Sequence, residues 1–116
     1  MTYAMLIYTD HAEDAKHTPE ELNAVMGAYY GFTNEVKDKN VYVAGEALHP
    51  TTNATTVRVR EGKTLTTDGP FAETKEQLGG FFLLNCKDLD EAIGYAAKIP
   101  GAAHGSVEIR PVVVFG

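Results

Sequence analysis

The stretch GGFFLLNCKDLDEAIGYAAKIPG, residues 79–101, carries the reading that decides the fold. Phe81 to Leu84 is apolar at four consecutive positions, so neither side of it can face water, and a central strand is expected. Asp88 follows as a helix N-cap with Glu91 at the capping-box position. Leu89, Ala92, Ile93, Ala96 and Ala97 then share one helical face, and Pro100 with Gly101 ends the run. A buried strand leading straight into an amphipathic helix is half of a split β-α-β arrangement.

Working outward, the same order occurs at the start of the chain. Tyr3 to Tyr8 is a short apolar run rich in strand formers, closed by Thr9 and Asp10. Thr18-Pro19-Glu20-Glu21 starts a helix, with Thr18 as N-cap, Pro19 at the first helical position and Glu21 completing a capping box. Leu22, Val25, Met26, Tyr29, Phe32 and Val36 recur at helical spacing through Lys39, and Asn40 is the expected stop. The aromatic pair of this stripe, Tyr29 and Phe32, reads as core rather than as a cofactor box.

Val41 to Leu48 is a strand in which Gly45 marks a bulge or a close backbone approach. Thr55 to Arg60 alternates apolar and polar residues, turns at Glu61-Gly62-Lys63 and returns as Thr64 to Thr67. A last strand runs from Ser106 to Phe115, with Pro111 at a bulge or on an edge. Two helices on one face of an antiparallel sheet make a ferredoxin-like α+β sandwich. The other sheet face would be bare, and pairing with an identical subunit would close a dimeric α+β barrel, so a homodimer is expected.

The chain of 116 residues reads as a single domain, 1–116, large enough to fold without metal or disulfide. Its one cysteine, Cys86, lies in an apolar run and reads as a buried, inert thiol suited to a reducing cytoplasm. The formal charge is −6 with ten Lys and Arg residues in no cluster, which argues against direct nucleic-acid binding. The N-terminus has no basic flank of a signal peptide, and no stretch has the ~20 apolar residues of a membrane span.

TDGPFAETKEQLGGF, residues 67–81, packs unusual chemistry into one connection. As a structural element, Asp68 would close an Asx-type turn, and Pro70 would open a short helix from Phe71 to Leu78. Phe71 would plug an apolar neighbour, and Gly79 with Gly80 would stop the helix. As a site, Asp68 offers a general base tuned by nearby charges, Lys75 or Arg110 would hold an anionic substrate, and Glu76 and Arg58 complete the expected substrate-binding set. His49, at a strand end before Pro50, is a second candidate base. Ion pairs of Arg58, Arg60 or Arg110 with Glu46, Glu73 or Glu108 are the alternative use of those cations.

Asp10, His11, Glu13, Asp14 and His17 bunch before the first long helix, but their spacing fits no metal-ligand pattern and reads as a solvated acidic loop. No phosphate-cradling glycine loop or nucleophile elbow is present, so no cofactor is expected.

TDGPFAETKEQLGGF, with GEAL and ATTVRVREGK before it and DLDEAIGYAAKIP and SVEIRPV after it, resembles the DGPF-domain branch of the YCII-related family along nearly the whole chain. The resemblance implies a dimeric α+β barrel and a bacterial cytoplasmic protein, in a branch whose members are often linked to extracytoplasmic-function sigma factors. A His–Asp catalytic pair proposed elsewhere in that family falls here on Glu21 and Ile99, so that chemistry does not transfer. The functions that fit are binding or conversion of a small molecule, a regulatory module meeting a transcription factor, and a structural dimer module.

Overall fold

The computed structural model describes residues 1–115. In chain order the elements are β1 (Thr2–Thr9), α1 (His11–Asp14), α2 (Pro19–Asp38), β2 (Tyr42–Ala47), β3 (Thr55–Arg60), β4 (Lys63–Asp68), β5 (Gln77–Asn85), α3 (Leu89–Ala96) and β6 (Ser106–Pro111). Two single 3-10 turns, Thr51–Asn53 and Pro100–Ala103, complete the regular structure. β2, β5, β1 and β6 form one antiparallel sheet in that order, while among the described residues β3 and β4 pair only with each other. The chain is thus α+β, and its strand order is compatible with a ferredoxin-like fold carrying an inserted hairpin.

The central-strand reading holds, with β5 flanked by β1 and β2. Its alternation sends Gly80, Phe82 and Leu84 to the side that also buries Tyr3, Met5 and Ile7 of β1. Phe32 and Val36 of α2, Ala92 and Ala96 of α3, Cys86 and Ile99 join these in one core. Phe32 meets Phe82 edge to face, with ring centroids 5.0 Å apart, a favoured aromatic geometry. Leu6, Phe81 and Leu83 point to the opposite side, which no helix among the described residues covers. Burial pushes the Cys86 thiol up, which keeps it protonated and inert.

The caps follow the sequence closely. Thr18 Oγ1 accepts from the Glu21 amide at 3.1 Å while Glu21 accepts from the Thr18 amide at 3.2 Å. Asp88 Oδ1 accepts from the Glu91 amide at 2.9 Å, and Asn40 leaves α2 with a left-handed φ of 59°. Gly45 makes the expected close approach, since a Cβ there would lie 2.7 Å from the Phe82 ring.

Four expectations about residues 67–81 fail. Residues 71–78 are not a helix: the chain bends through Glu76 and is already in β5 at Gln77. Gly79 and Gly80 belong to that strand. Ile7 faces Gly80 and Tyr8 faces Leu78, which leaves Gly79 as a bulge, and a Cβ on Gly80 would sit 2.9 Å from the Glu46 carbonyl oxygen. Asp68 makes no Asx turn, because residue 70 is proline and has no amide to offer, and the Gly69 amide donates instead to the Ala54 carbonyl at 2.7 Å. Phe71 plugs nothing and is 79% exposed.

The final strand stops at Pro111 on edge strand β6, short of Phe115. α1 is an addition, a single turn capped by Asp10, whose Oδ1 accepts from the Ala12 amide at 3.0 Å. No helix among the described residues is long and apolar enough to cross a membrane.

Candidate functional site

The N-terminal half of α2 stands away from the sheet and leaves a cleft of about 650 Å³. Leu22, Val25, Met26 and Tyr29 of the helix form one wall, and Ile7, Gly45, Gly80 and Phe82 of the sheet form the other. These walls are mostly hydrocarbon. Leu22 and Met26, on the apolar stripe of α2, are 50% and 47% exposed on the cleft wall.

Tyr29 sits half-buried within the cleft, and its hydroxyl oxygen accepts from the Gly101 amide at 3.1 Å. Burial pushes its phenol above the ordinary value of 10.0, the Gly101 amide opposes this in part, and Asp14 adds to it. The phenol therefore stays protonated through neutral pH, with its proton free to donate.

Where β1, α1 and the 3-10 turn at Pro100 meet, the cleft opens into a second, polar one of about 500 Å³. Asp14, His17 and His104 line both. Thr9 Oγ1 donates to Asp14 Oδ2 at 2.6 Å, which fixes that carboxylate at the junction. Asp10, Glu13, Lys16 and Glu21 border the polar cleft, with Lys75 and Glu76 opposite. Glu76 is held by the Ser106 hydroxyl, which donates to its Oε1 at 2.7 Å. The Thr18 amide and hydroxyl keep the Glu21 carboxyl below its usual range.

Of the six residues singled out from sequence, Lys75 and Glu76 line the polar cleft. Asp68 lies exposed at the end of β4, paired through its backbone register with Thr55. His49 is exposed in the connection after β2. Arg58 donates to the Phe71 carbonyl at 3.4 Å. Arg110 is exposed on β6 opposite Ala4, on the sheet face away from the clefts. Asp68, His49, Arg58 and Arg110 line neither cleft, and among the described residues the three arginines form no ion pair.

The bunch before α2 divides its work. Asp10 caps α1, Glu13 pairs with Lys16 at 3.0 Å, and Asp14 and His17 turn toward the clefts. The His11 ring sits at the Gly79 bulge, where its Nδ1 is buried without a partner among the described residues. Among those residues no three His, Cys, Asp or Glu side chains stand close enough to share a metal ion. Of Glu21 and Ile99, Glu21 serves the cap and Ile99 is 1% exposed in the core.

The sequence reading missed His104, which lies 87 residues from His17 in the chain. Only the fold brings the 3-10 turn after α3 beside α1, and no local spacing signals it.

Comparison with known proteins agrees with the sequence resemblance. The model of the YCII-related domain matches residues 1–116. An uncharacterized protein of Rhizobium meliloti (strain 1021) is 38% identical over 117 residues, covering 99% of this chain and 94% of that protein. With the match spanning the whole chain, the protein belongs to the YCII-related family.

Proposed function

We propose that this protein binds a small, largely apolar molecule with one polar end, and that it does so as a homodimer built on the bare sheet face, closing a barrel of the ferredoxin-like kind. The observation that carries the binding reading is the apolar cleft of about 650 Å³ ending in Asp14, His17 and His104. That volume falls in the usual range for small-molecule sites, roughly 300–1,000 Å³, and so does the composition of apolar walls with a few convergent polar groups. The hydrocarbon part of the ligand lies along Met26, Tyr29 and Phe82. Its polar end meets the two imidazoles and Asp14, with Lys75 and Glu76 beyond.

The homodimer reading rests on Leu6, Phe81 and Leu83, which are partly buried on a sheet face against which no helix among the described residues packs. Face-to-face pairing of two such sheets removes that surface from water.

Titration with the apolar fluorophore anilinonaphthalene sulfonate tests the cleft. Met26→Trp, which fills it from a half-exposed position, is expected to abolish the fluorescence gain while the far-ultraviolet circular dichroism is kept. A folded Met26→Trp variant that binds the probe as well as the parent overturns the reading. Sedimentation showing only monomer at micromolar concentration removes the homodimer.

A further inference from the structure

The β3–β4 hairpin is out of place in a self-sufficient domain. It forms a separate two-stranded sheet, and every residue of β4 is exposed. Its base is closed by the Gly69 amide donating to the Ala54 carbonyl and by Thr56 Oγ1 donating to the Gly69 carbonyl at 2.8 Å. The radius of gyration is 16.1 Å, against about 13 Å for a compact chain of this length. An isolated two-stranded hairpin is at best marginally stable in water.

The register divides the hairpin into two unlike faces. Val57 opposite Thr66 and Val59 opposite Thr64 make one side of β-branched residues. The two valines are 59% and 60% exposed. Arg58, Arg60 and Lys63 lie on the other side, together with Leu65 opposite Arg58. From Thr55 to Asp68 the chain has these three cations against two carboxylates, which leaves seven cations and fourteen carboxylates elsewhere. The hairpin is net positive and the remainder strongly negative.

One chain thus holds both halves of a contact that it cannot make with itself. It has an apolar arm with a cationic back, and a bare apolar sheet face on an acidic body. A second copy supplies each half with the other, as a two-fold interface requires.

We propose that the β3–β4 hairpin is an arm that docks on a second copy of this chain, packing Val57 and Val59 at the edge of its bare sheet face. This rests on the homodimer reading above and extends it, since the arm adds a second contact to the sheet-face pairing. Phe71, exposed just beyond the arm's root, joins the same contact.

Hydrogen exchange of residues 55–68, measured above and below the concentration at which the dimer dissociates, tests the arm. Its amides are expected to be protected in the dimer and to exchange near the free-chain rate in the monomer. The double variant Val57→Asp/Val59→Asp is expected to weaken dimerisation at least about tenfold by sedimentation, equivalent to 1.4 kcal/mol, with the body's circular dichroism unchanged. A dimer whose affinity the double variant leaves unchanged overturns the arm and leaves sheet-face pairing standing. So does equal protection of the arm in monomer and dimer. A chain that is monomeric throughout removes both readings.

Discussion

The two halves of α2 carry one apolar stripe and put it to opposite uses. Phe32 and Val36, 5% and 0% exposed, close the C-terminal half against Phe82 and the core. Leu22 and Met26, about two to four turns earlier on the same stripe, stay half exposed on the wall of the cleft. Helical periodicity fixes which face of a helix is apolar and says nothing about the distance to the surface opposite. The C-terminal half is tied down by Lys98, whose Nζ lies 2.7 Å from Glu35 Oε2. The N-terminal half is fixed by its own capping box and by Tyr29 on the Gly101 amide.

The sharpest way to break this contrast is truncation on both sides of it. Phe32→Ala removes a buried ring from the core and is expected to cost about 3–5 kcal/mol of folding stability. Met26→Ala is expected to cost less than about 1 kcal/mol, because much of that side chain is already in water. Urea denaturation of both variants measures the difference, and comparable losses would show that the cleft wall is core after all. Binding of anilinonaphthalene sulfonate is expected to reverse the order, falling further in Met26→Ala than a stability change of that size explains.

The same contrast explains which parts of the structure were legible in the sequence. Capping residues and strand alternation act over three or four neighbours, so Thr18, Asp88 and the run from Phe81 to Leu84 announced their elements correctly. Gly79 and Gly80 were ambiguous. A glycine pair suits a helix stop as well as a strand pressed against another backbone, and only the nearness of Glu46 decides for the strand. Lys75 and Glu76 were found from a charged, conformationally special segment. Asp14 and His17 were noticed only as acidic-loop residues, and His104 gave no signal, because their meeting depends on where the turn after α3 lands. Asp68 drew attention through its neighbours Gly69 and Pro70, whose conformational demands belong to the base of the hairpin.

Tyr29 stands where the two halves meet, and removing its hydroxyl tests how much that joint contributes. Tyr29→Phe leaves the Gly101 amide without its acceptor, at an expected cost of about 1–2 kcal/mol. The alkaline limb carries a further signature. The folded-state value of this phenol lies above its ordinary 10.0 because burial disfavours the anion. Its contribution is therefore complete below about pH 10 and is lost as pH rises through the folded value, where the unfolded chain ionises first. The parent protein should lose stability more steeply than Tyr29→Phe above pH 10, as followed by urea midpoints. Parallel slopes would mean that the ring is more solvated than its place in the cleft indicates.

The smallest effect belongs to the ion pair that fastens the sealed half. Lys98 foremost, then Lys39, holds the Glu35 carboxyl below its ordinary value of 4.5. A carboxylate with a lowered folded-state value stabilises above its ordinary value, and the stabilisation disappears as pH falls through the folded one. Glu35→Gln should thus be slightly less stable than the parent at pH 7, with the gap closing in acid. The pair is exposed, so added salt should shrink the gap at neutral pH as well. A gap that persists unchanged in acid and in high salt would show that Glu35 holds α2 by the packing of its methylenes rather than by its charge. The seal would then depend on Phe32 and Val36 with no electrostatic help.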